Sequence, residues 1–409
     1  MSNEPTPQLD RSITLPMLIL YGTGVTIGAG IYALVGETVA RAGQYAPASF
    51  LLAAIVMAFT AGSLAELSAR IPQAAGEAVY VEAAFRRKWL TLLVGLAVLL
   101  EAIIAAAAIS LGSAGYLGQF VDLPEPYLAL GVIIFMSAIA AWGIRESVML
   151  AGAMTLVEVL ALLVIIGAGL MQDPAMLGAI ADVIPAPNNG LAIAGMFSAS
   201  LIAFFAFIGF DDIVNLVEEA RNPQKTLPWA IGITLVLVTT IYFLVTLVAV
   251  RLLPLEDLAS SSAPVSLLFE RLTGLPPQAV SIIAIIATMN GVVIVVIMAA
   301  RVTYGLSKQT IFPSWIGAVS PHTHTPLRAT VLIALAVMVA ALYAPIDVLA
   351  EKSSQVLLLV FVMINLALLR LKMQGSAVPR RSVTVPIWVP VLGALCCIGL
   401  LLGAYLGDA

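Results

Sequence analysis

The sequence predicts an all-α polytopic membrane protein, and three observations carry that reading. Of 409 residues, 61 % are hydrophobic and 10 % charged, against about 25 % charged in an ordinary soluble domain. Apolar runs of roughly 20 residues, each long enough to cross a bilayer, recur from end to end. Lysine and arginine fall almost entirely into alternate loops.

Eleven spans are predicted, at Ile13–Val39, Ala46–Ser68, Trp89–Phe120, Tyr127–Ile144, Ser147–Met171, Ile193–Val217, Leu227–Leu253, Pro277–Leu306, Leu327–Tyr343, Val348–Leu371 and Val385–Leu406. The amphipathic stretch "GEAVYVEAAF" is an earlier start for the third. Placing the N-terminus in the cytoplasm puts 15 of the 19 Lys and Arg on that side and leaves Arg41, Arg251, Arg271 and Lys352 outside. One missed span would scramble this parity. The polar segment 1–12 lacks the basic region of a signal peptide, so the first span is expected to be a retained anchor. Cys396 and Cys397 are adjacent, point in different directions on a helix and read as small apolar residues. His322 and His324, in an inner loop without nearby cysteine, do not make a metal site.

The first span contains "LYGTGVTIGAGIYALVG", with glycine at positions 22, 24, 28, 30 and 36. Gly24 and Gly28 form a small-xxx-small pattern that serves close helix packing. The same glycines also permit local unwinding. A second interrupted span, the sixth, places Gly209, Asp211 and Asp212 at membrane depth. Spans one and six correspond if the core, residues 13–371, is two five-span halves (13–171 and 193–371). Five is odd, so the second half runs inverted, and residues 372–409 add a loop and one more span. Paired broken segments in inverted halves are the best sequence pointer to a secondary transporter's binding site. Unpaired backbone groups are tolerated at that depth only where they line a cavity or meet a ligand. Free N–H groups at a half-helix start suit a carboxylate, and the preceding carbonyls suit an ammonium or a cation. The stretch is no nucleotide fingerprint, because Ile27 stands where "GTGVTI" would need its last glycine. No cofactor and no nucleic-acid partner are predicted.

Four stretches resemble the amino acid–polyamine–organocation (APC) superfamily, and within it the cationic amino acid transporter-like branch. They are "GAGIYALVG", "AELSARIPQAAGEAVYVEAAF" (Ala65–Phe85), "FFAFIGFDDIVNLVEEARNPQKTLPWAI" (Phe204–Ile231) and "AARVTYGLSKQTIFP" (Ala299–Pro313). The resemblance implies the LeuT-like inverted 5+5 fold, working by alternating access. It places the substrate carboxylate at amides of Thr26, Ile27, Gly28, Ala29 and Gly30. The amino group then meets carbonyls near Tyr21, Gly22 and Thr23 and along Phe204, Phe205 and Ile208. By the same analogy Phe205 is the gating aromatic and Asp211 the acidic residue of span six. Many members have twelve spans, and this chain is predicted to have eleven, a departure that bears on C-terminal topology and oligomer contacts.

Glu101, Glu158, Asp211 and Asp212 fall within spans, where ionisable groups are expensive and usually functional. In proton-coupled relatives the position of Glu158 carries a lysine; the sign here is reversed. Three roles stay open for it: proton carrier, hydrogen-bonding partner of the first span, or cation ligand. Glu101 either contacts a cationic substrate group or braces span six. Asp211 and Asp212 diverge by about 100° on a helix, which gives Asp211 to the cavity and leaves Asp212 solvated or capping free amides. Glu218 and Glu219 are expected in a solvated cytoplasmic turn, balanced by Arg221, Lys225 or Arg86–Lys88, with an inner ion-pair gate as the alternative. Pro223 and Pro228 end one helix and begin the next. Thr288 and Asn290 are candidate pocket-wall residues on span eight.

An intramembrane enzyme is excluded by the absence of HExxH and nucleotide-binding motifs. A channel would need polar faces on several spans. The chain therefore reads as a secondary active transporter of amino acids, proton-coupled or exchanging, whose partners are its substrate, H+ and the lipid bilayer. An amine or polyamine carrier of the same fold and a non-transporting amino acid sensor are the alternatives. Short loops suggest a prokaryotic inner membrane as its cell membrane. The sequence sets no oligomeric state.

Overall fold

Apolar runs with no competing charge can satisfy their backbone in a membrane only as helices, and helices are what the chain forms. The structure, a computed structural model, describes residues 11–118, 120–261, 264–375 and 383–407. In chain order the helices are α1 (Leu15–Ala42), α2 (Ala46–Arg70), α3 (Gly76–Phe85), α4 (Lys88–Leu117), α5 (Glu125–Trp142), α6 (Ile144–Gln172) and α7 (Gly190–Phe205). They continue as α8 (Pro223–Leu252), α9 (Leu255–Ser260), α10 (Pro264–Thr273), α11 (Pro277–Lys308), α12 (Leu327–Tyr343), α13 (Ile346–Met373) and α14 (Trp388–Gly407). Eight helical stretches are long and apolar enough to cross a membrane, and α7, α12 and α14 are shorter apolar helices. Each of the eleven predicted spans thus has its helix.

Large aliphatic side chains face outward at helical spacing, as Leu92, Leu96 and Leu100 do on α4 and Leu156, Leu160 and Leu163 on α6. Such stripes would be a liability in water and are the natural lipid face of a membrane helix. The opposite faces carry alanine, glycine, Ser, Thr and the intramembrane carboxylates, Glu101 and Glu158 among them.

Several contacts between helices come in pairs related by exchanging the two sets of five spans. The first-span helix α1 touches α8 as α2 touches α7, and α6 touches α11 as α13 touches α4. The equivalent pairs α1 and α7, α2 and α8, and α4 and α11 also meet. These pairings are consistent with two five-span sets of like packing.

Local departures from the expected elements have local causes. "GEAVYVEAAF" is not the start of the third span but the separate helix α3, ended by Arg86 in the left-handed region (φ 54°). The helix after span six begins at Pro223, whose missing N–H costs nothing at a helix start. Pro228 therefore lies inside α8 rather than at its beginning. Cys397 is buried, its sulfur 3.8 Å from Thr60 Oγ1.

The last helix is fastened by polar groups. Asn365 of α13 donates to Thr60 Oγ1 (2.9 Å) and accepts from Ser63 (2.7 Å), while a side chain at Gly393 of α14 would collide with it. Buried Glu66 of α2 pairs with Arg70 and with Lys372 (2.7 Å) and accepts the Val385 N–H (2.7 Å). Removing its charge leaves two cations without a buried counter-ion, a change that costs on the order of 3 kcal/mol. Glu66→Gln should therefore lower the melting temperature in detergent measurably, whereas Glu125→Gln, at an exposed position, should not. Equal melting of the two variants would contradict this assignment.

Candidate substrate site at two helix breaks

The glycines of the first span divide their work. At Gly28 the backbone leaves the helical region (φ 17°, ψ −133°), and a Cβ there would meet nothing within 4 Å. The interruption is one residue wide, narrower than the several-residue unwinding expected. Its neighbours serve packing instead. A Cβ on Gly24 would strike Thr155 and Asn290, one on Gly22 would strike Ile213, and one on Gly30 would lie 2.9 Å from the Ala206 Cα. Both readings of the glycine pattern hold, each at different residues.

Span six breaks more widely. The helix α7 stops at Phe205, the chain turns, and a 3-10 segment follows over Phe210–Leu216. The turn uses Gly209 at φ 112°, a conformation that glycine adopts without penalty. A Cβ at Gly209 would also sit 2.9 Å from Val25 Cγ2. Gly28 lies 13 residues into α1, about 20 Å along it, and the α7 break comes about 24 Å along that helix at the standard rise. The two breaks lie side by side, since a Cβ on Gly30 would come within 2.9 Å of the Ala206 Cα.

The residues assigned to the substrate gather around this junction. Tyr21, Thr23, Thr26, Ile27 and Phe204 are buried, and Ile208 is half-buried. The side chains of Ala29 and Phe205 lie outside the described residues, and with them the expected gating aromatic. Thr26 Oγ1 donates to the Gly22 carbonyl at 2.7 Å, so that carbonyl already has a partner within the helix. Tyr21 reaches across to donate to the Ile294 carbonyl at 3.0 Å, tying α1 to α11. A residue to which the sequence assigned nothing, Tyr242 of α8, places its hydroxyl against the carbonyls of both Thr26 and Ala206.

The carboxylates take distinct positions. Glu158 of α6 is fully buried; Asn290 Nδ2 donates to one of its oxygens (2.9 Å) and the other has no partner. Asn290 also donates to Thr155, and Thr288 bonds its own helix at Ala284, so both are engaged within the bundle. Glu101 accepts from Ser353 of α13 at 2.8 Å. Asp211, not Asp212, caps the break: its Oδ1 accepts the Gly209 N–H at 3.1 Å. Asp212 is buried rather than solvated. Outside the spans, Glu77 of α3 is held by Asn215 (3.1 and 3.2 Å), and burial, with Asp211 adding to it, pushes its carboxyl up to about 8.

On the side predicted to be cytoplasmic, the segments that flank the two breaks are tied together. Ile13 and Ala220 form an isolated bridge that joins the chain before α1 to the chain after span six. Glu219 and Arg301 of α11 make a two-point ion pair (3.0 and 3.2 Å), both side chains fully buried. Glu218 pairs with Lys308 (3.1 Å) and accepts the Ala74 N–H (3.2 Å). The expected solvated turn is therefore a packed set of ion pairs, and its cations are Arg301 and Lys308 rather than Arg221, Lys225 or Arg86–Lys88. Arg301 sits in the motif "AARVTYGLSKQTIFP", so the signal was present without its partner. Desolvating two charges is repaid only by good geometry, and the planar guanidinium fork supplies it.

Comparison with known proteins agrees with this architecture. A family model described as amino acid permease matches residues 13–407. The vacuolar cationic amino acid transporter 2 of Arabidopsis thaliana is 30 % identical over 385 residues, covering 89 % of this chain and 60 % of the plant protein. The branched-chain amino acid permease of Bacillus subtilis (strain 168) is 27 % identical, covering 96 % of this chain and 88 % of its own. The methylthioribose transporter of the same organism is also 27 % identical, over 95 % of this chain and 87 % of its own. This chain spans a little under two thirds of the length of the first plant relatives, 60 % and 64 %. With the matched family model running through both helix breaks and all eleven span helices, this multi-pass membrane chain belongs to the amino acid permease family of the APC superfamily.

Proposed function

We propose that the protein carries amino acids across a cell membrane by alternating access, with residues 13–171 and 193–371 as its two inverted halves. The observation that carries this reading is the close approach of two helix breaks, one of them opening onto space beside Gly28. The α-carboxylate would meet amides from Thr26 to Gly30. The α-ammonium would meet carbonyls of the same junction, with Phe204, Phe205 and Ile208 alongside. Amino acid permeation is the shared theme of the family description and of two of the three relatives above, which supports the substrate class.

Within that class a cationic side chain is favoured. Glu101, Asp211 and Asp212 are buried around the span-six break, and none makes an ion pair with Lys or Arg among the described residues. A buried carboxyl without a counter-ion stays neutral, and a substrate cation is a partner that would favour its ionised form and leave when transport ends. Amines and polyamines are the second reading, on the same carboxylates; they would leave the amides at Gly28–Gly30 without a ligand.

For coupling, Glu158 is the proposed proton-handling group. One oxygen is fixed by Asn290 and the other has no partner, and a lone intramembrane carboxylate without a cation is a hallmark of proton relays. An inner membrane of a prokaryote is the proposed location.

Three measurements in proteoliposomes test these assignments. Gly28→Leu should insert and fold but lose uptake by about tenfold or more, because the side chain fills the open space rather than a packed interface, while Gly30→Leu should lose stability by about 1–3 kcal/mol through collision with the Ala206 backbone. Normal uptake by Gly28→Leu would remove the proposed site. Lysine or arginine should compete for uptake better than leucine, and both better than putrescine; the reverse order would favour the amine reading. Glu158→Gln should retain exchange of internal for external substrate and lose accumulation driven by a pH gradient. Full pH-driven accumulation by that variant would exclude Glu158 as the coupling group.

A further inference from the structure

The loop into α3, "PQAAGEAV", docks onto the 3-10 segment that follows the span-six break. A Cβ on Gly76 would lie 2.8 Å from Val214 Cγ2, so the two chains approach as closely as a glycine permits. Asn215 then works in both directions. Its Oδ1 accepts the Gly76 N–H at 3.1 Å, and its Nδ2 donates to both carboxyl oxygens of Glu77 at 3.1 and 3.2 Å. Just before them, the Ala74 N–H donates to Glu218 at 3.2 Å. The loop is thereby latched to span six through Ala74, Gly76 and Glu77.

Glu77 is the odd member of this latch. Glu218 has Lys308 beside it and Glu219 has Arg301. Glu77 is buried against a neutral carboxamide, and it joins none of the ion pairs among the described residues. The titratable groups within its electrostatic reach are all acids: Asp211 and Asp212 of span six, Glu101 of α4 and Tyr80 of its own helix. Cations of the surrounding helices are engaged elsewhere, Arg301 and Lys308 of α11 in the pairs just named and Lys372 of α13 with Glu66. Arg370 of α13 serves the far end of α3, where it donates to the Ala84 carbonyl and covers the Phe85 ring. Lys88 of α4 is exposed. A place in the first turn of α3 favours charge on Glu77, but burial outweighs it and, with Asp211 adding, pushes the carboxyl up to about 8. Freed into water, a glutamate carboxyl titrates at about 4.3.

We propose that Glu77 is a proton-binding latch: protonated, it holds the α3 loop on span six through Asn215, and it gives its proton to water on the side predicted to be cytoplasmic when the latch opens. The closed latch binds a proton that the open one releases, so low pH favours closure. Between about pH 4.3 and the closed value of about 8, the ratio of open to closed rises about tenfold per pH unit. Above that window both forms are ionised and the ratio is level. The role differs from the one proposed for Glu158. A proton taken up and returned on one side does no transport work, so Glu77 sets how fast the inner side opens and leaves the extent of accumulation unchanged. That consequence for transport rests on the alternating-access reading above; the latch itself does not.

The test is Glu77→Gln, which keeps an acceptor for Asn215 and cannot ionise. Its first readout is the distance between nitroxide labels at Gln73→Cys and Lys225→Cys, both exposed positions, with Cys396 and Cys397 replaced by alanine. In the labelled parent a longer distance should gain on the shorter one as pH rises from about 6 to about 8, roughly tenfold per unit. Glu77→Gln should keep the shorter distance throughout. A parent without this pH dependence, or a variant that shares it, overturns the latch, whatever the protein transports. In proteoliposomes Glu77→Gln should reach the same pH-driven accumulation of amino acid as wild type, but more slowly when the inner side is at about pH 8. An equal rate there, or a lost accumulation, overturns the one-sided role. If the wild-type protein takes up no amino acid while the distance result stands, the transport reading fails and the latch survives. Should Glu77→Gln not fold, Asn215→Ala carries the distance measurement. It removes the bonds to both Gly76 and Glu77 and should enlarge the longer-distance population even at low pH, and an unchanged distribution overturns the proposal.

Discussion

Hydrocarbon offers no hydrogen bonds, so every peptide group at mid-membrane must find a partner inside the protein or in a ligand. The rest of this structure follows from how that constraint is met at two places. Most of the chain meets it by forming continuous helices. At Gly28 and from Ala206 to Gly209 it does not, and the chain surrounds those places with its polar side chains: Thr26 folds back on Gly22, Asp211 caps Gly209, and Tyr242 spans the gap. The interrupted backbone is held by local hydrogen bonds at each break and by Tyr242, whose hydroxyl meets carbonyls of both.

The inner closure follows the same logic one layer down. Ile13 and Ala220 couple the chain entering α1 to the chain leaving span six, so the two broken spans are joined at that end as well as at the junction. The Glu219–Arg301 and Glu218–Lys308 pairs then fasten this joined unit to α11. A fully buried ion pair such as Glu219–Arg301 is weak as a source of stability and costly to leave half-broken. Closure of this kind is what the proposed alternating access would use on the side predicted to be cytoplasmic.

How much of this was legible in the sequence depended on the range of the interaction. Span number and most boundaries were readable because burial in lipid acts on every residue of a run; Leu327–Tyr343 was placed to the residue. The separate helix α3 was missed because its end is fixed by one left-handed residue, Arg86, with nothing in its side chain to announce it. The glycine motif revealed a break but not its width, since Gly22, Gly24 and Gly30 look identical to Gly28 until their neighbours from α6, α11 and span six are in place. Partners far apart in the chain were the least readable. Glu219 finds Arg301 82 residues away, and Tyr242 finds Thr26 216 residues away; a buried tyrosine and an interfacial one have the same sequence signature.

The central claim, that the two interruptions together hold the substrate, has a direct test in the structure of the protein determined with lysine or arginine bound. The account predicts ligand density between Thr26–Gly30 of α1 and Phe204–Gly209, its carboxylate on the α1 amides and its ammonium on the carbonyls beside Tyr242. Density for the amino acid elsewhere in the bundle, with the junction empty, would contradict it.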